Sequence, residues 1–213
     1  MQRGLEALYR VDTQVDVESF LIDDQERQRA GVARSPREQL LVKQHGDDEL
    51  KVGLFVDERA VANLEQNDPS LRLDHTNFAD FCLAVEGVSH FVYVVMCAAG
   101  ERPVSALELE LQAEVDKFAC CLLVAGDGSA EDGAERAHEL RRRLYDDVSF
   151  AEDLDQVERD RYRVANGEAR RYAGTLARRF VAADRLDDML PELRRFYRLD
   201  LDGKLGHISR VSG

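Results

Sequence analysis

The sequence predicts an α+β protein in which a small antiparallel sheet packs on a central helix over 105–125 and a mostly helical C-terminal part follows. Three observations carry that expectation. Ser105 stands three residues before Glu108, just after Pro103, the signature of a capping box at a helix start. Leu107, Leu111, Val115, Phe118 and Leu122 then recur at spacings of four, four, three and four, one apolar stripe of a helix. Upstream, Leu50, Val52, Leu54 and Val56 alternate with other residues at a strand's period of two, after a polar HGDDE stretch with turn chemistry at Gly46-Asp47.

In chain order, Leu5, Leu8 and Tyr9 mark a short first helix, and Asp16 caps a second segment through Phe20 and Leu21. A hairpin spans roughly 38–57, and Glu58 to Leu64 forms a short helix ended by the NDPS loop. Asn77 or Thr76 caps a helix with Phe78, Phe81, Cys82 and Val85. Gly87 interrupts it, and the β-branched and aromatic run from Val88 to Cys97 is read as a buried strand over 88–97 that joins the sheet. For 105–125 a rival strand pattern exists, because Leu107 to Val115 also alternates with Glu108, Gln112 and their neighbours. Local preference favours helix, since a strand with four carboxylates on one face repels itself.

GDGSAEDG (126–133) is the best boundary, dividing an α+β core at 1–128 from a helical part at 129–213 packed on it as one unit. Beyond it, Ala134, Ala137, Leu140 and Leu144 mark one helix. A second capping box at Ser149 and Glu152 opens another, with Leu154, Val157 and Val164 inward. A third follows Asn166-Gly167 with Tyr172, Leu176 and Phe180 on a stripe. Pro191 starts the last, bearing Leu193, Phe196 and Tyr197, and the tail from Leu199 is extended or frayed.

Composition narrows the function classes. The chain has 213 residues and a formal charge of -13, of which residues 1–130 carry 12 basic side chains against 24 acidic, and residues 131–213 carry 17 against 18. So acidic an N-terminal part disfavours nucleic acid and anionic membrane as main partners. No apolar run approaches the ~20 residues a membrane span needs, Phe91 to Ala99 being too short, and the N-terminus lacks the apolar core of a secretory leader. The expected location is the cytoplasm. The four cysteines, Cys82, Cys97, Cys120 and Cys121, form no C-x-x-C pair and read as reduced, buried small hydrophobes.

Two groups of side chains invite a chemical reading. Glu110 and Glu114 lie one helical turn apart with Lys117 beside them, and Glu86 and His90 come from the preceding segment. Two glutamates, a histidine and a lysine converging on a partly buried helix suit acid–base catalysis or a divalent cation. The bland alternative is a Glu114–Lys117 pair, a solvated Glu110 and a hydrogen-bonded His90 at a strand end. The second group is arginine: Arg171 and Arg178, a heptad apart among several basic residues on C-terminal helices, form a patch for an acidic partner or a phosphate-bearing ligand. Solvated faces with ion pairs to nearby acids are its bland reading.

Other motifs fall short. Glu135-x-x-His138 has di-iron spacing but lacks a second copy, Asp200-Leu-Asp202-Gly203 lacks the remaining calcium ligands and reads as a turn, and no phosphate loop or nucleophile signature appears. No cofactor and no bound metal are expected. The leading expectation is a non-catalytic interaction or adaptor protein with a protein partner, or with a second copy of itself. The alternative is a metal-assisted or acid–base hydrolase using Glu86, His90, Glu110, Glu114 and Lys117, and below it stands a regulator that grips a phosphate-bearing ligand through C-terminal arginines.

Overall fold

In the computed structural model, which describes residues 1–31, 36–45, 49–124, 130–148 and 154–212, a two-stranded antiparallel sheet lies against a helical assembly. Helix α1 (Gln2–Tyr9) sends Leu5, Leu8 and Tyr9 inward. A tight turn over Val17–Phe20, capped by Asp16, and a short α2 (Asp24–Arg29) lead to the hairpin. Its strands β1 (Glu38–His45) and β2 (Glu49–Val56) pair with Leu40 opposite Leu54 and Glu38 opposite Val56. The expected turn at Gly46-Asp47 lies outside the described residues. Leu54 and Phe55 are the buried apolar residues of β2, and α3 (Glu58–Gln66) follows, capped by Asp57.

The expected strand over 88–97 is instead the second half of one long helix, α4 (Phe78–Ala99). Among the described residues the sheet therefore has two strands, not three. The physical reason is at Gly87. A Cβ there would stand 2.9 Å from Glu38 Cγ and 3.1 Å from Leu54 Cδ1, so the missing side chain is the seat on which the hairpin rests. Gly87 does not stop the helix. Val88, Phe91, Val92, Tyr93 and Val94 are all buried, because α4 is covered on several sides and burial outweighs the strand preference of β-branched residues. At 22 residues α4 is also long and apolar enough by length and composition to cross a membrane, against the expectation that no apolar stretch approaches that length. Within the protein, 67% of its most apolar window is buried.

Helix α5 (Ala106–Val124) occupies the expected central span, with Leu111, Val115, Phe118 and Leu122 buried. Only half of its capping box forms. The Glu108 N–H donates to Ser105 Oγ at 3.2 Å, but the Glu108 carboxylate turns inward to Tyr93 and Arg102. After α6 (Ala130–Arg141), a wide π-type turn covers Arg142–Asp146, and Leu144 and Tyr145 enter the core. The boundary expected at 126–133 overlaps described residues only at the start of α6, and the Ser149–Glu152 box lies outside them.

Helix α7 (Gln156–Leu176) opens at a different capping box, Asp155 with Glu158. It runs unbroken through Asn166-Gly167, after which a separate third helix was expected. Buried Asn166 is tied to the Leu144 carbonyl, and nothing crowds exposed Gly167. Val157 and Val164, expected inward, are exposed. A second wide turn (Ala177–Val181) ends α7.

Helix α8 (Leu186–Tyr197) begins five residues before Pro191, which sits inside it. The tail expected to fray is helix α9 (Leu201–Val211), whose start is capped by Asp200, the residue read as part of an Asp-Gly turn. Lys204 and Ile208 are wholly buried, which holds a two-glycine segment in helical form. Tyr9 stacks on Tyr197 at 3.8 Å, joining both ends of the chain, and one continuous apolar core includes residues from α1 through α9.

Candidate functional site

The residues singled out as an acidic site meet in space. On α4, Glu86 and His90 stand one turn apart. On α5, Glu110, Glu114 and Lys117 share a face that packs against them. Lys117 Nζ donates to Glu86 Oε2 at 3.0 Å and to Glu114 Oε1 at 2.7 Å. His90 lies between two carboxylates, with Nδ1 3.6 Å from Glu38 Oε1 and Nε2 3.6 Å from Glu110 Oε2. These are ion-pair separations, longer than hydrogen bonds, and Glu38 Oε1 and His90 Nε2 have no hydrogen-bond partner among the described residues. Arg161 of α7 approaches the other Glu110 oxygen at 3.8 Å. Glu110, expected to be solvated if the cluster were merely structural, is buried.

Electrostatics follow from this burial. Desolvation alone would push the Glu86 carboxyl up and the amine of Lys117 down. Their mutual attraction reverses both, so Glu86 sits below the usual carboxylate range and Lys117 well above the usual lysine value. Burial likewise disfavours a charged imidazole, but the Glu110 and Glu38 carboxylates raise His90 well above its ordinary value. Burial wins at Glu38 and Glu114, which are both pushed up. The cluster is therefore paired internally: the Lys117 ammonium bridges two carboxylates, and the His90 ring lies between two more. A protonated Lys117 has no lone pair to act as a base. Its ammonium also occupies the space between Glu86 and Glu114 that a cation would take, and no group of three ligating side chains able to hold a metal occurs among the described residues.

On the other side of α5 lies a buried polar network that the sequence reading missed. Asp116 accepts hydrogen bonds from Tyr9, from Ser89 at 2.5 Å and from Gln112 at 2.7 Å. Burial raises its carboxyl to about 6. The amine of Lys204 donates to Gln112 Oε1 at 2.6 Å and to the Phe196 carbonyl at 2.9 Å, and faces the Tyr93 and Phe196 rings. Burial lowers its pKa to about 7. Polar residues at apolar positions of α5 were the available signal, and the partner lay in the supposedly frayed tail.

The arginine patch has a definite shape. Arg171 and Arg178 line a notch of about 230 Å³ together with Arg141, Arg170, Gly174 and Ser212. Arg141 ends α6 where the first wide turn begins, and Arg178 lies in the second wide turn, so both bulges flank the notch. Arg170 is paired to Asp146 at 2.8 Å and Arg171 to Glu168 at 2.9 Å. Arg178 touches the Thr175 hydroxyl at 3.4 Å, and Arg141 Nε is buried with no hydrogen-bond partner among the described residues. The Arg141 guanidinium lies over Gly174, where a Cβ would come within 3.0 Å of Nη2. A larger hollow of about 580 Å³ near the N-terminus is lined by Glu6, Asp12, Asp16 and Glu18, and the Gln2 side chain there is already committed to Glu6, Thr13 and the Val15 carbonyl.

Compared with known proteins, the chain matches no family model, no curated protein and no solved structure.

Proposed function

We propose that this protein is a non-catalytic binding module that recognises an acidic, phosphate-bearing ligand or partner through the arginine notch. The observation that carries this reading is Arg141, whose Nε is buried with no hydrogen-bond partner among the described residues while its side chain lines a cavity with three further arginines. A buried donor left unpaired costs about 1–3 kcal/mol, so its persistence is best explained by an acceptor that arrives from outside. Arginine forks match phosphate oxygens in geometry and charge. The Glu–His–Lys cluster supports the same conclusion from the other direction, since its lysine and histidine are held by its own carboxylates.

The test is thermal denaturation in inorganic phosphate against sodium chloride at equal ionic strength. Ligand that binds the folded state at 100 times its Kd stabilises by about 2.7 kcal/mol. The expected result is a concentration-dependent rise in Tm with phosphate that is absent from the Arg141→Gln, Arg178→Gln double variant. Equal melting in the two salts defeats the reading.

A further inference from the structure

Resting on that reading, we infer that the notch is specific for a phosphomonoester dianion and that recognition ends at the phosphoryl group. Charge sets the first half of this inference. Of the four guanidinium groups, Arg170 and Arg171 are already neutralised by Asp146 and Glu168. Arg141 and Arg178 have no carboxylate partner among the described residues, which leaves two positive charges facing the cavity. A phosphomonoester carries close to two negative charges above its second pKa of about 6, so it balances them, and a sulfate ester of the same shape carries one.

Lining sets the second half. Arginine, glycine and serine make up the wall, with no aromatic or aliphatic side chain on which a nucleobase or acyl chain would stack. Thr175 Oγ1 and Ser212 Oγ lie 2.9 Å apart beside the arginines, and both lie within reach of the Arg171 carbonyl, so their protons are used within the wall and the guanidinium groups are left as the donors. Gly174 keeps the wall low enough for the Arg141 guanidinium to lie flat. Whatever the phosphate is attached to stays outside.

Isothermal titration of the full chain at pH 8 with methyl phosphate, methyl sulfate, AMP and a phosphoserine-bearing peptide tests this. Methyl phosphate is expected to bind at least tenfold more tightly than methyl sulfate, and AMP and the peptide to fall within about threefold of methyl phosphate. Arg141→Gln and Arg178→Gln should each weaken methyl phosphate at least tenfold with melting temperature retained, and Arg170→Gln less. Equal binding of methyl phosphate and methyl sulfate overturns the dianion match. AMP or the peptide binding more than tenfold tighter than methyl phosphate overturns the claim that recognition stops at the phosphoryl group. If none of the four binds, the anion-binding reading itself fails.

Discussion

Replacing Lys117 with methionine should be among the most damaging single changes in this protein. The ammonium bridges Glu86 and Glu114 at 3.0 and 2.7 Å, and the three side chains are only 11%, 23% and 15% exposed. Removing the cation leaves two carboxylates facing each other in a low-dielectric site. Breaking a buried ion pair in this way costs about 3–5 kcal/mol. A domain of this size holds about 5–15 kcal/mol in total, so the loss is a large fraction of its stability. It corresponds to a fall in Tm of about 10 °C, at roughly 2–4 °C per kcal/mol. The companion variant removes the whole triad: Lys117→Met with Glu86→Gln and Glu114→Gln. Replacing all the charges together is often neutral or stabilising, so the triple variant should recover most of the loss. Urea denaturation at pH 7 measures both. A single variant that loses less than about 1 kcal/mol, or a triple variant as unstable as the single, refutes the view that these charges serve to hold one another.

Three further outcomes follow from the geometry. Gly87→Ala should destabilise by about 1–3 kcal/mol through overpacking against Glu38 and Leu54, despite alanine's better helix propensity, and hydrogen exchange should show the loss concentrated in the hairpin. For His90, the folded pKa is raised above the unfolded value of about 6.5, so its contribution is full below that pH and is lost as pH rises through the folded value. The stability gap between the native chain and His90→Gln, from urea melts at several pH values, should therefore be widest below pH 6.5 and narrow above it. Gly174→Ala should leave Tm level or slightly raised, because the helix gains up to about 1 kcal/mol, while the new Cβ pushes Arg141 aside and weakens methyl phosphate binding severalfold in calorimetry.

Local signals exposed some elements and hid others. Helix α5 and the hairpin were legible because their apolar spacing agrees with their caps and turn residues. Helix α4 was misread because Gly87 and the β-branched run describe a strand locally, and only the hairpin resting on Gly87 shows why a glycine belongs inside that helix. Helix α9 was hidden for a similar reason. Gly203 and Gly206 weaken its local preference, and its stability comes from Lys204, Ile208 and the His207–Glu192 contact at 2.5 Å, all set by distant packing. At the acidic cluster, sequence neighbourhood was enough to place Glu86 and His90 beside Glu110, Glu114 and Lys117. It gave no hint of Glu38 or Arg161, which arrive from β1 and α7. In the notch, the heptad spacing brought out Arg171 and Arg178, but Arg141 comes from another helix and Ser212 from the far end of the chain.

Anion capture by the notch is tested most directly by the ¹H–¹⁵N spectrum of arginine Nε groups during titration with methyl phosphate. The Arg141 Nε–H resonance, assigned by its loss in Arg141→Gln, should shift in a saturable way as it gains its missing acceptor. A titration in which other arginine signals move while Arg141 stays fixed, or in which none moves, contradicts it.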